Sequence, residues 1–553
     1  MADKGKGKNE FILQAGILAA AGIISRIIGL LYRSPLHSVI GALGMGYYSS
    51  AYNYYSIILL ISSYSIPSAI SKVMAQKLAV KEYRYAHKIF KAALLYVLAV
   101  GGAASLFLYF GAGLLVGENV VPVLRTFAPT IFVYGVLGVL RGYFQAHRSM
   151  VQTSVSQILE QIVNAVVTVG AAYFLIYSRL GTMDMPVDEA GQVERATNGA
   201  IGSALGTGAG VLAALLFMAG IYRVNYRTIR KRIHRDRGGR EGSYGEILKM
   251  ITLVVTPFIL STAVYNLSGT VNNSIYLNLL PSLREVDEVA LNARWGIFSA
   301  QALTISNIPI AFASAMAAAM IPTVAQLLAS RDVPGAREKI GLSVKTTMII
   351  SIPCAAGLLV LARPVVGLLF VDTQAEEDLA TGLLMALSFS VVFYALSTLN
   401  NQILQGLGKV NIPIVNAGIA LMAQTVTAVV LLLCTDLDLY SIAVANTVYS
   451  GLMCMLNQRA VRRAVGYRQE VWGTFVIPIL ASALMAGMAW ACYEGLLMIT
   501  SSPKFSVAVA IVVAVIVYFA LLLLLRGVTE EELLGFPKGR FLVRMGKKFR
   551  LIR

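Results

Sequence analysis

The chain reads as an all-α, polytopic membrane protein of about 14 transmembrane helices: two six-helix lobes related by a parallel pseudo-two-fold repeat, plus two extra C-terminal helices. Three observations predict this. Of 553 residues, 57% are hydrophobic and only 13% charged, about half the roughly 25% charge of soluble domains. Apolar runs of membrane-spanning length, about 20 residues, recur at 11–32, 46–70, 89–115, 121–145, 153–177, 197–221, 247–275, 295–325, 342–362, 379–403, 411–434, 438–458, 472–498 and 504–525. Charge alternates between the connections. With the N-terminus on the cytoplasmic side and charges at span ends assigned to the nearer face, that face holds 37 Lys+Arg and 12 Asp+Glu, against 8 and 15 opposite. This is the positive-inside pattern, with both termini cytoplasmic.

The first span, FILQAGILAAAGIISRIIGLLYR (11–33), follows Lys4, Lys6 and Lys8 and resembles a signal sequence in outline. It is too long for one and carries Arg26, so it is expected to be an uncleaved span. An arginine within a span costs roughly 2.5–3.5 kcal/mol on insertion scales. It persists by facing water, a partner charge or a ligand, or by reaching for headgroups from a helix end. Arg26 lies well inside the run, which favours a site. Ser25 adds a hydroxyl, Gly29 allows close approach one turn on, and Arg33 follows.

Span 5 carries Thr153, Gln157, Glu160, Asn164 and Thr168 on one helical face. Span 7 carries Ser261, Tyr265, Ser268 and Asn272. Such stripes line a cavity or join helices by hydrogen bonds. Glu160 is read as the one acid well inside a span, hence a cavity or coupling residue. Counted from their span starts, Arg26 and Glu160 differ in depth by roughly 12 Å at about 1.5 Å per residue, which argues against a direct pair. An arginine with no built-in acid suits an anionic ligand, and guanidinium matches phosphate because its fork of donors meets two oxygens at once.

The longest connection, 222–248, is basic and divides the six-span halves. YGVLGVLRGYFQ (134–145) matches YALSTLNNQILQ (394–405), and Ile66-Pro67 matches Ile321-Pro322. A near-constant offset marks a duplicated bundle, and an even span number gives both copies one orientation, with substrate expected between the lobes. The domains are therefore 1–221 (N-lobe), 222–248 (basic cytoplasmic loop), 249–460 (C-lobe), 461–526 (spans 13 and 14) and 527–553 (basic cytoplasmic tail). Glycines crowd span 6 (Gly199, Gly202, Gly206, Gly208, Gly210), and Pro257, Pro309 and Pro353 interrupt spans 7 to 9. Both features suit rocking lobes and also static bundles.

No catalytic or metal residue is expected. The histidines (His37, His87, His147, His234) lie at loops or span ends without ligand spacing, and the cysteines (Cys354, Cys434, Cys454, Cys492) sit in apolar segments as small hydrophobes. No cofactor is expected. The net charge of +18 belongs to one membrane face, so anionic lipid is the expected partner of the 222–248 loop and the 536–553 tail, rather than nucleic acid. A monomer is expected.

SRIIGLLYR (25–33), IPSAISKVMAQ (66–76) and above all VLRGYFQAHRSMVQTSVSQILEQIVN (139–164) resemble the multidrug/oligosaccharidyl-lipid/polysaccharide exporter superfamily, in its branch of MurJ-like and stage V sporulation protein B-like polysaccharide biosynthesis proteins. The resemblance covers essentially the whole chain. It implies a flippase exporting undecaprenyl-pyrophosphate-linked saccharide, such as lipid II, across the bacterial cytoplasmic membrane by alternating access. It also implies that Arg26, in the S-R-x-x-G motif, is an essential span 1 arginine. The branch's cavity arginines of spans 2 and 8 are absent here: span 2 has none, and span 8 has Arg294 at its edge with Gln301 and Thr304 deeper. The alternatives are a cation-coupled multidrug exporter of the same superfamily and a membrane transferase or polymerase acting on lipid-linked saccharides. A cationic-drug exporter calls for carboxylates in its cavity, and an enzyme for paired acid and base groups.

Overall fold

The structure is a computed structural model that describes residues 21–528 and 544, apart from 23, 65, 148, 237–241, 284–285, 312, 315–323, 325–326, 328–330, 371–372 and the side chains of 232, 235, 257–258, 260–265 and 283. The described residues are predominantly helical, with no strand among them. Among the described residues, eleven helices are long and apolar enough to cross a membrane, and they coincide with spans 2–6 and 9–14. Spans 1, 7 and 8 run in whole or part through residues outside the described set.

The chain forms two compact units, Met1–Gly296 and Ile297–Arg553. In the first, α1 (24–31) leads into α2 (Arg33–Leu59), a π-turn (Leu60–Tyr64) and α3 (Ile66–Ala79), followed by α4 (Tyr83–Leu115), α5 (Val121–Ala146), α6 (Val151–Leu180), α7 (Glu189–Arg235), α8 (Tyr244–Ser274), α9 (Leu280–Leu283) and α10 (Glu288–Gly296). α8, which the sequence assigns to the second half, packs here. Ile247, Ile251 and Val255 join a core with Ile66, Ile89 and Leu137. Ser50 Oγ donates to Asn273 Oδ1 (3.3 Å), and the hydroxyls of Tyr54 and Ser274 meet at 2.7 Å. Glycine makes the closest crossings possible. A Cβ on Gly46 would overlap the Asn292 carbonyl, and one on Gly296 the Ala42 carbonyl, so α2 and α10 touch backbone to backbone.

The span 6 glycines serve packing within this unit. Gly202, Gly206 and Gly210 lie against Ala172, Thr168 and Glu160 of α6 with no room for a methyl group, the small-residue seam by which membrane helices approach closely. α7 then continues through 222–235, where the sequence suggests a loop. No glycine or proline interrupts that basic stretch before Gly238, and Ile229 and Ile233 sit at helical spacing against the bundle, lining a cavity with His87, Tyr143 and His147. Just beyond the helix, Asp236 Oδ2 accepts from the Arg84 backbone N–H (2.8 Å), capping α4.

The second unit holds a π-turn (Ile297–Ala302), α11 (303–311), α12 (Val333–Val360), α13 (Ala362–Leu369), α14 (Gln374–Gly406), α15 (Asn411–Cys434), α16 (Leu439–Val465), a π-turn (Trp472–Val476), α17 (Ile477–Thr500) and α18 (Pro503–Leu524). Pro353 lies inside α12 without ending it. α12, α14 and α16 share a core around Val344, Met348, Leu399 and Val461. The last two spans close on α12, where the Tyr518 hydroxyl donates to the Ile349 carbonyl (2.8 Å). The repeated segments occupy equivalent places: 134–145 ends α5 and 394–405 ends α14. Of the other matched pair, Ile66-Pro67 opens α3, and Ile321-Pro322 lies outside the described residues.

Candidate functional site

The first unit concentrates charge where α5 turns back into α6. The two helices are antiparallel neighbours joined by the short turn 147–150, so residues at similar distances from the turn face each other. Arg141 Nε donates to Ser156 Oγ at 3.0 Å, and its Nη2 donates to Glu160 Oε2 at 2.7 Å. The arginine side chain is 6% exposed and the glutamate 16%. Charges this far from water persist when paired and hydrogen-bonded, so Glu160 has its counter-ion built in. The sequence reading missed Arg141 by counting it with the cytoplasmic flank of span 4.

α1 runs alongside α6. A Cβ on Gly29 would sit 3.7 Å from Gln161 Oε1. Ser25 and Arg26 lie within about one turn of Gly29, as Gln157 and Glu160 do of Gln161. This register replaces the depth gap inferred from span starts: the Arg26 turn lies close to the level of Glu160. Arg26 is exposed and has no ion-pair or hydrogen-bond partner among the described residues. Ser25 Oγ, Gln157 Oε1 and Thr153 Oγ1 are buried without a hydrogen-bond partner there, and Thr153 is 1% exposed. Unpaired buried polar atoms are costly and call for water or a ligand.

Ser25, Arg26, Gly29, Gln157 and Glu160 thus share one level of the unit, with Arg33 two turns along at the start of α2. The upper half of the span 5 stripe differs. Asn164 is buried against Gly210, with its Oδ1 accepting from Thr168 Oγ1 (2.8 Å), so these two stand in the α6–α7 seam. Asn272 is buried on α8, next to the Asn273 that bonds Ser50. Ser261 and Tyr265 lie outside the described side chains. The second unit answers with neutral pairs at the matching helix ends: Asn400 Nδ2 to Gln458 Oε1 (2.9 Å) and Asn416 Nδ2 to Asn457 Oδ1 (2.8 Å).

A bundle of apolar helices with one charged, hydrogen-bonding level in its first half defines a polytopic membrane transporter. Residues 89–515 match the sequence profile of the family described as lipid II flippase MurJ. The chain is 23% identical over 501 residues to the lipid II flippase MurJ of Bacillus subtilis, covering 86% of each protein. It is also 23% identical over 551 residues to stage V sporulation protein B of the same organism, covering 97% of this chain and 100% of that protein. Among solved structures, lipid II flippase MurJ in an inward closed conformation superposes with a TM-score of 0.62 at 14% identity, covering 91% of this chain and 97% of that one, a likeness of fold. The chain belongs to the lipid II flippase MurJ family, a family of transporters and not of enzymes.

Proposed function

We propose that this protein is a flippase that carries a polyprenyl-diphosphate-linked saccharide of the lipid II kind across the bacterial cytoplasmic membrane by alternating access, with Arg26 as the diphosphate ligand. The observation that carries the reading is Arg26 itself, an exposed guanidinium on a membrane helix with no partner among the described residues, beside the orphaned Ser25 and Gln157 oxygens. A diphosphate supplies the oxygens that a guanidinium fork binds, and the lipid tail stays in the membrane. Arg33 extends the positive edge. Glu160 positions Arg141 and Ser156 and does not offset Arg26. Both termini and the 222–235 helix are cytoplasmic, where their basic residues meet anionic headgroups, and the protein works as a monomer. A cationic-drug exporter would need an uncompensated acid at this level, and Glu160 is compensated.

Complementation of a strain depleted of its lipid II flippase tests the reading. Growth with normal cell walls is expected. Failure of a well-accumulated protein to restore growth, or to move lipid II in vesicles, would overturn it.

A further inference from the structure

Tyr48, Tyr52 and Tyr55 recur along one face of α2 and pack as a group on Phe127 of α5. Tyr52 stacks on Tyr48 with ring centroids 5.9 Å apart, and lies 5.7 Å from Tyr55 and 6.0 Å from Phe127. Tyr48 and Tyr55 are buried at 7% and 2% exposure, while Tyr52 is 39% exposed. One tyrosine is therefore held by three rings and presents the rest of its surface outward. The Tyr48 hydroxyl is within 3.3 Å of Thr207 Oγ1, whereas the Tyr52 hydroxyl has no partner among the described residues. Arg33 and Glu160 lie within electrostatic reach of it. A phenol facing hydrocarbon with its hydroxyl unpaired would cost several kcal/mol (roughly), so this face belongs to a wet cavity or a ligand.

We propose that the exposed face of Tyr52 is the stacking platform for a sugar ring of the lipid-linked saccharide; this rests on the flippase reading and assigns the headgroup its place. A pyranose offers a face of C–H groups to an aromatic ring and a rim of hydroxyls to polar neighbours, and a pre-oriented tyrosine binds both parts with little entropy to lose. A cation would also stack on this ring but would meet the positive Arg33 and Arg26. A neutral, hydroxyl-rich ring meets no such repulsion. The two ligand parts then divide between two helices, with the diphosphate on α1 and the saccharide on α2.

The test uses the full chain in nanodiscs with three probes: undecaprenyl diphosphate bearing a disaccharide, the same lipid without sugar, and tetraphenylphosphonium. Tyr52→Ala is expected to weaken the saccharide lipid about tenfold and to leave the sugar-free lipid within about twofold. Tyr52→Trp should retain saccharide binding, and thermal unfolding of each variant reports whether the ring cluster survives. Arg26→Ala should weaken both lipids. Equal loss of both lipids with Tyr52→Ala, no loss of either, or loss confined to the cation would overturn the platform. A wild-type protein that binds neither lipid would overturn the flippase reading itself.

Discussion

Arg141 and Glu160, on consecutive antiparallel helices, meet at 2.7 Å in the interior of the first unit. The pair changes the electrostatics of everything beside it. With the glutamate neutralised by a neighbour, the guanidinium of Arg26, at nearly the same level, has no counter-charge among the described residues.

Replacing Arg26 tests that charge directly. Arg26→Ala should abolish lipid II flipping while the protein accumulates normally, because removing a costly intramembrane charge does not impair insertion. Arg26→Lys should recover part of the activity, since an ammonium keeps the charge and loses the fork. An alanine variant with full activity places the diphosphate elsewhere.

The ion pair should behave differently. Arg141→Met strands a buried carboxylate and should cost about 3–5 kcal/mol, read as a marked fall in thermal unfolding midpoint in detergent. Adding Glu160→Met should restore most of that stability. If the double variant is no more stable than the single one, the pair does not hold α5 to α6.

The α6–α7 seam predicts a graded series. Gly206→Ala places a methyl group into Thr168 and should destabilise by about 1–3 kcal/mol as overpacking. Gly220→Ala on the same helix meets nothing within 4 Å and should leave stability unchanged or raise it by up to about 1 kcal/mol. Equal melting temperatures would remove the seam's structural role.

Topology can be read by single-cysteine labelling of intact cells. A membrane-impermeant reagent should modify positions in 181–195 and spare those in 230–235. Labelling of the second group from outside would invert the proposed orientation.

The driving force follows from the sign of the loaded site. A diphosphate carries about two negative charges and Arg26 offsets about one, so a net negative load leaves a negative interior with a gain of about 2.3 kcal/mol per 100 mV. Collapsing the potential with the pH gradient held should slow outward flipping. Dependence on the pH or sodium gradient alone would point to ion antiport.

Much of this was legible in the residues. Hydropathy and the two-faced charge distribution identify eleven spans that the structure contains, and the 134–145 and 394–405 match lands on equivalent helix ends. Arg141 escaped because a charge five residues from a helix end resembles a flank in one dimension. Its role emerges on folding the hairpin about 147–150, which sets it opposite Ser156 and one turn from Glu160. The split of the span 5 stripe was illegible for a related reason: periodicity assigns Glu160 and Asn164 one face, and only the glycines of α7 decide that Asn164 is covered. Charge density likewise hid the helix over 222–235, because a span's end is easily mistaken for its helix's end.

α7 has 47 residues, about 70 Å at 1.5 Å per residue, against a bilayer of about 40–45 Å with headgroups. Roughly 25 Å of it stands clear of the lipid, clamped at its tip where Asp236 caps α4. The molecule therefore carries its own rigid handle. An antibody fragment raised against 222–235 would add mass and an orientation marker to a small membrane protein in electron micrographs, and would report each change of attitude of the first unit from a point well away from Arg26 and Tyr52.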